Sequence, residues 1–144
     1  MLNDDKIINI LLVEDDEVDV MNVKRAFQKN NITNPLFHAE NGIEALQFLK
    51  SENGVQQSGP LIILLDLNMP RMGGIEFLTE LRKDEKLKKT IVFVMTTSNE
   101  DQDKVSAYNL NVAGYILKPI SMESFISAVA VLKSYWKLCE YPDA

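Results

Sequence analysis

Several residues able to do chemistry each stand directly behind a run of apolar residues. Glu14 and Asp15 follow Ile7-Ile-Asn-Ile-Leu-Leu-Val13. Asp66 follows Leu61-Ile-Ile-Leu-Leu65, Thr96 follows Ile91-Val-Phe-Val-Met95, and Lys118 follows Ala113-Gly-Tyr-Ile-Leu117. Three carboxylates brought within a few ångströms repel one another and raise one another's pKa, a conflict that a divalent cation removes. All-oxygen ligation favours Mg2+, Mn2+ or Ca2+ over zinc. Taken alone, Glu14-Asp15-Asp16-Glu17 suits a solvated helix start, where acids complement the helix dipole. Taken with Asp66, it suits a metal. A hydroxyl and an ammonium on the same edge would complete a set able to hold a phosphoryl group. Metal and lysine would neutralise its oxygens, and the hydroxyl would donate a hydrogen bond. Asp66 is then the natural nucleophile, forming an aspartyl phosphate.

That convergence requires the apolar runs to be neighbouring parallel strands. Short continuous apolar runs bounded by turn residues suit strands covered on both faces. Residues Ile7–Val13, Leu36–Ala39, Leu61–Leu65, Ile91–Met95 and Ala113–Leu117 are the predicted strands. Helices are predicted between and after them. The first is capped by Asp16 and runs to about Asn30, with Val20, Val23 and Phe27 inward. The second opens at Asn41-Gly42 with Ile43, Leu46 and Leu49 on one face. The third follows Arg71-Met72-Gly73-Gly74 with Ile75, Leu78 and Leu81 inward. The fourth spans about Asp101–Asn109, capped by Ser98 or Asn99, and the last is capped by Ser121. The polar segment Ser51–Pro60 reads as a surface loop. Alternating strands and helices imply an α/β doubly wound (βα)5 fold with helices on both faces. The flavodoxin-like strand order 2-1-3-4-5 sets strands one and three side by side, which brings Glu14, Asp15 and Asp66 together.

Length and composition bound the alternatives. With 144 residues, 46% apolar and 25% charged, the chain suits one domain with its own core and leaves no room for a fused output domain. A net charge of −6 argues against a nucleic-acid surface. The lone cysteine, Cys139, excludes an internal disulfide. No apolar run approaches the ~18 residues of a membrane span, and the acidic N-terminus is unlike a secretory signal. A cytoplasmic setting is expected.

The motifs Leu-Leu-Val-Glu14-Asp15-Asp, Leu-Leu-Asp66-Leu-Asn-Met-Pro70, Met95-Thr96-Thr97-Ser and Tyr115-Ile-Leu-Lys118-Pro119 resemble the CheY-like receiver domain of two-component response regulators. The resemblance covers about residues 7–137, leaving 138–144 as a tail. Its finer pattern is similar to small stand-alone receivers that serve bacterial phytochromes and related sensor histidine kinases. The cues are the long loop before the third strand, Thr96-Thr-Ser-Asn-Glu-Asp101 and Tyr135-Trp136. The resemblance implies a phosphoacceptor signalling protein rather than an enzyme. Asp66 would accept a phosphoryl group from a kinase phosphohistidine. Asp15 and Asp66 would bind Mg2+, supported by Glu14 and the Asn68 carbonyl. Thr96 and Lys118 would engage the phosphoryl group, and Tyr115 would move with Thr96. It also implies a cis Lys118–Pro119 bond.

Gly73 stands where the family often has aspartate, so Gly73-Gly74 is expected to loosen that loop. Asn68 and Ser98 flank the site where family members tune phosphoryl lifetime. His38 reads as a structural or surface residue. In the last helix Phe125, Ala128, Val129, Leu132 and Trp136 form a core stripe, and Val131, Tyr135 and Leu138 widen it. That surplus is explained either by a homodimer or partner contact, on the face of helix four, strand five and helix five, or by a tail folded over its own domain. Competing functions share parts of this pattern. A phosphatase with an aspartyl-phosphate intermediate commonly has a second aspartate where Asn68 stands. A flavin carrier would place phosphate against the acids at residues 14–17. A receiver-like scaffold would not need the intact Asp/Thr/Lys set.

Overall fold

The computed structural model describes residues 8–51, 60–118 and 121–138. Strands β1 (Asn9–Val13), β2 (Leu36–Ala39), β3 (Leu61–Leu65), β4 (Ile91–Thr96) and β5 (Gly114–Leu117) alternate with five helices. These are α1 (Glu17–Lys29), α2 (Gly42–Lys50), α3 (Gly74–Lys83), α4 (Asp101–Asn109) and α5 (Met122–Leu138). The strands form one parallel sheet in the order β2-β1-β3-β4-β5. This is the flavodoxin-like arrangement expected from the sequence.

Side chains alternate across a strand, so each strand feeds two cores. Leu11, Val13, Ile63, Leu65, Val92 and Val94 pack toward α2, α3 and α4. Ile10, Leu12, Ile62, Leu64, Phe93 and Met95 pack toward α1 and α5, where Phe27 meets Trp136 edge to face at 6.1 Å between centroids. With both faces covered, β3 and β1 from Ile10 onward read as unbroken apolar runs rather than alternating ones.

The helix starts follow local chemistry. Asp16 caps α1 by accepting the Val18 and Asp19 amides. Asn41 caps α2 through the Glu44 amide. The Ser121 hydroxyl accepts the Ser124 amide ahead of α5.

Several expectations change in detail. β1 begins at Asn9 among the described residues, β4 extends to Thr96, and β5 starts at Gly114. On α2 the buried residues are Gly42, Ala45 and Leu49, with Ile43 and Leu46 only half-buried. On α3 Phe77 joins Leu78 and Leu81 inward, and Ile75 is half-buried. The N-cap of α4 is Glu100, not Ser98 or Asn99, and its side chain makes no capping bond. Gly73-Gly74, expected to be loose, is tied by two backbone bonds. The Gly74 amide donates to the Leu67 carbonyl, and the Phe77 amide donates to the Gly73 carbonyl. A Cβ on Gly74 would lie 2.6 Å from the Asp66 carbonyl oxygen and 2.7 Å from the Leu67 Cα. Gly74 is therefore needed for close approach: α3 starts hard against the backbone of Asp66.

The Ser51–Pro60 loop (apart from its two end residues), Ile7, the Lys118–Pro119 bond, Cys139 and the tail beyond Leu138 lie outside the described residues. Among the described residues, no helix is long and apolar enough to cross a membrane.

Candidate functional site

Backbone bonds that continue the sheet fix the site residues at the strand ends. The Glu14 amide donates to the Ala39 carbonyl, the Asp66 amide to that of Val13, and the Lys118 amide to that of Thr96. Glu14, Asp66 and Thr96 are buried at this edge. Asp15 is exposed. Oxygens of Glu14, Asp15 and Asp66 all lie within 4.8 Å of one another.

Lys118 crosses this cluster. Its Nζ donates to Glu14 Oε1 at 2.6 Å and to Asp19 Oδ2 at 2.7 Å, and lies 3.7 Å from Asp66 Oδ2. Its tightest partners are thus Glu14 and Asp19 rather than Asp66. Asp66 Oδ1 is buried and has no hydrogen-bond partner among the described residues. A cavity of about 230 Å³ opens beside the cluster, with Glu14, Asp19, Asp66 and Lys118 on its polar wall and Leu12, Val23 and Phe125 on its apolar one.

Electrostatics follow from burial. Burial pushes the Glu14 carboxyl up to about 7; the Lys118 hydrogen bond opposes this and the neighbouring Asp66 adds to it. For Lys118, burial alone would favour the neutral amine, but hydrogen bonds to Asp19 and Glu14 outweigh it and raise the pKa. Lys118 is therefore a firmly held cation. His38 adds support from β2: its Nε2 lies 2.7 Å from the Glu14 carbonyl oxygen, so this nitrogen carries the proton and donates.

A second group converges beside the first. The Thr96 hydroxyl oxygen accepts the Ser98 amide at 3.3 Å, and the Tyr115 hydroxyl donates to the Ser98 carbonyl at 2.8 Å. Burial pushes the Tyr115 phenol up, the hydrogen bond to Ser98 opposes this, and the carboxylates of Asp103, Glu100 and Asp66 add to the rise. Asn68 is exposed on the loop after Asp66. Val131, Tyr135 and Leu138 are exposed on α5, although the Tyr135 ring meets Phe93 edge to face.

Sequence reasoning set Glu14, Asp15, Asp66, Thr96 and Lys118 at one edge of the sheet, and the structure places all five at the ends of β1, β3, β4 and β5. The same reasoning missed Asp19, whose position in the first turn of α1 looks like ordinary dipole compensation. The available signal was its spacing from Asp15, one helical turn on.

Comparison with known proteins agrees with this geometry. The family model described as "Response regulator receiver domain" matches residues 10–130. The chain is 37% identical over 127 residues to "Probable methanogenesis regulatory protein FilR2" of Methanothrix harundinacea, covering 88% of this chain and 82% of that protein. It is 34% identical over 128 residues to response regulator Rcp1 of Synechocystis, covering 88% and 87%. The crystal structure of an Mn(2+)-bound form of response regulator Rcp1 superposes with a TM-score of 0.80 at 31% identity, covering 96% of this chain and 99% of that one. The phosphorylated cyanobacterial phytochrome response regulator RcpA gives a TM-score of 0.82 at 30% identity, covering 92% and 96%. Sheet order, acidic strand ends and a match along most of the sequence lead to one assignment: the chain belongs to the response regulator receiver domain family, a family of two-component signalling proteins.

Proposed function

We propose that this receiver stores a phosphoryl group on Asp66, taken from the phosphohistidine of a sensor histidine kinase, and that the modification switches a protein-binding surface. The observation that carries the reading is the state of Asp66. One of its carboxylate oxygens is buried without a partner among the described residues, and the other is 3.7 Å from a lysine committed more closely elsewhere. A buried, under-bonded carboxylate costs stability, a cost expected where the group is kept for a ligand.

The donor set fits a hard divalent cation. Three carboxylates with oxygens within 4.8 Å of one another suit Mg2+, or Mn2+ in its place, better than a softer metal. Glu14, Asp15 and Asp66 would hold it, with the Asn68 carbonyl completing the protein ligands. Bound there, Mg2+ would offset the repulsion among the carboxylates and neutralise charge on the phosphoryl oxygens. Asp66 supplies the nucleophilic oxygen. An O–P bond forms as the P–N bond to the donor imidazole breaks, and the electron pair leaves with the imidazole nitrogen. Lys118, held charged by Asp19 and Glu14, is close enough to move onto a phosphoryl oxygen. The Thr96 hydroxyl can leave the Ser98 amide to donate to another. Tyr115 follows through Ser98, and the change reaches the face of α4, β5 and α5.

The partner is a sensor histidine kinase, of the phytochrome-associated type that the relatives' names suggest. Val131, Tyr135 and Leu138 offer a homodimer or partner contact. Incubation with Mg2+ and acetyl phosphate, followed by intact mass measurement, tests the central step. One phosphoryl group is expected on the wild type and none on Asp66→Asn. Equal addition to both would overturn the assignment.

A further inference from the structure

Ser98 has three polar groups, and each is bound to a different element. Its amide donates to the Thr96 hydroxyl at the end of β4, and its carbonyl accepts the Tyr115 hydroxyl from β5. Its own hydroxyl donates to the Asp103 carboxylate in the first turn of α4. The third bond has an ordinary explanation as part of a helix start. Two features ask more of it. The N-cap Glu100 makes no side-chain capping bond, and its own amide instead donates to the Ser98 hydroxyl at 3.5 Å, so the start of α4 is tied through Ser98. The helix is also weakly held by packing, because Ala107 is its one buried residue. Its entry position is set by polar contacts, and one of these, to a carboxylate, runs to the residue that also binds both switch side chains.

We propose that Asp103 is a positioning residue that couples α4 to the phosphorylation site: through the Ser98 hydroxyl it makes the first turn of α4 follow Thr96 and Tyr115. The proposal rests on the reading of Asp66, Thr96 and Tyr115 given above. A shift of Thr96 toward a phosphoryl oxygen releases the Ser98 amide. Ser98 then moves with its remaining bonds, to Tyr115, to Asp103 and to the Glu100 amide. Because a hydrogen bond to a carboxylate is among the stronger ones in a partly buried setting, α4 moves with Ser98 rather than separating from it. Without Asp103 the same event ends in the loop. Sequence inspection passes over Asp103, since an acid in the first turn of a helix is ordinary.

Backbone hydrogen exchange across residues 98–109 tests this on wild type, Ser98→Ala, Asp103→Ala and the double variant, with Mg2+ and with or without acetyl phosphate. Intact mass on the same samples gives the extent of phosphorylation. In the resting proteins each single variant is expected to exchange roughly tenfold faster over the first turn of α4, the scale of a charged hydrogen bond. The double variant is expected to match Ser98→Ala within about twofold, because that variant already lacks the bond that Asp103→Ala removes. On phosphorylation, the wild type is expected to change exchange in α4 by about fivefold or more, and both single variants by less than about twofold at equal phosphate uptake. A purely structural cap would alter resting exchange but leave the phosphorylation-dependent change intact, and that result would overturn the proposal. Additive effects in the resting double variant would also overturn it. If the wild type takes up no phosphate, the Asp66 reading fails instead, while the resting comparison still decides whether Ser98 and Asp103 act as a pair.

Discussion

Glu14 carries the main electrostatic tension in the site. It is buried, sits among other carboxylates, and is relieved chiefly by Lys118. Its pKa of about 7 in the folded chain stands above its ordinary 4.5. Between those values the folded state binds the proton more tightly than the unfolded state. The stabilising contribution is therefore complete below the unfolded value and is lost as pH rises through about 7. Metal-free protein is expected to melt at progressively lower temperature from pH 5 to pH 7.5, and Glu14→Gln to flatten that slope, as read by thermal unfolding in EDTA. Metal requires the ionised carboxylate, so Mg2+ affinity is expected to rise over the same interval and the melting temperature with Mg2+ to hold up. A slope of opposite sign without metal would contradict the assignment. Asp66, Glu14, Asp15, Thr96 and Lys118 were legible in the sequence because each ends an apolar run. Asp19 and Asp103 were not, because an acid in a helix's first turn has an ordinary explanation that only a measured contact displaces. The preference of Lys118 for Glu14 and Asp19 over Asp66 is a matter of an ångström, which no spacing rule resolves.

At the level of elements, two junctions hold the site in register. Gly74 lets α3 begin against the Asp66 backbone. Gly74→Ala is expected to cost about 1–3 kcal/mol in chemical denaturation, the range for forced overpacking. It should also slow phosphorylation, because the obstructing atoms belong to Asp66 and Leu67. The second junction is Arg82. Its guanidinium donates to the carbonyls of Lys88, Thr90, Leu110 and Asn111, tying α3 to the approach to β4 and the end of α4. Burial pushes its pKa down, and no carboxylate partner is recorded for it among the described residues. Arg82→Ala is expected to cost about 2 kcal/mol, as for loss of hydrogen bonds from a charged donor. Arg82→Lys should recover less than half of it, because one ammonium cannot reproduce the fork. Strand positions were readable because β1, β3 and β4 are buried on both faces. Helix faces were less so: on α2 and α3, counting the branched residues chose Ile43 and Ile75, whereas small Ala45 and Gly42 and aromatic Phe77 fill the contact.

For the molecule as a whole, two cores separated by one sheet leave the reactive edge exposed at a single end. Outside that edge, Val105, Tyr108, Leu117, Val131, Tyr135 and Leu138 are large apolar or aromatic side chains left exposed on α4, β5 and α5. Phosphorylation is expected to promote self-association through this face. Sedimentation should show a dimer weakened by Val131→Glu or Leu138→Glu, and a monomer at high concentration in both phosphorylation states would contradict it. All of this depends on Asp66 being the site of modification. The most direct measurement is intact mass after incubation with Mg2+ and acetyl phosphate, with peptide mapping of the modified residue. The expected result is a single phosphoryl group on Asp66, lost in Asp66→Asn and in EDTA. A phosphoryl group on another residue, or equal uptake by Asp66→Asn, would contradict the account.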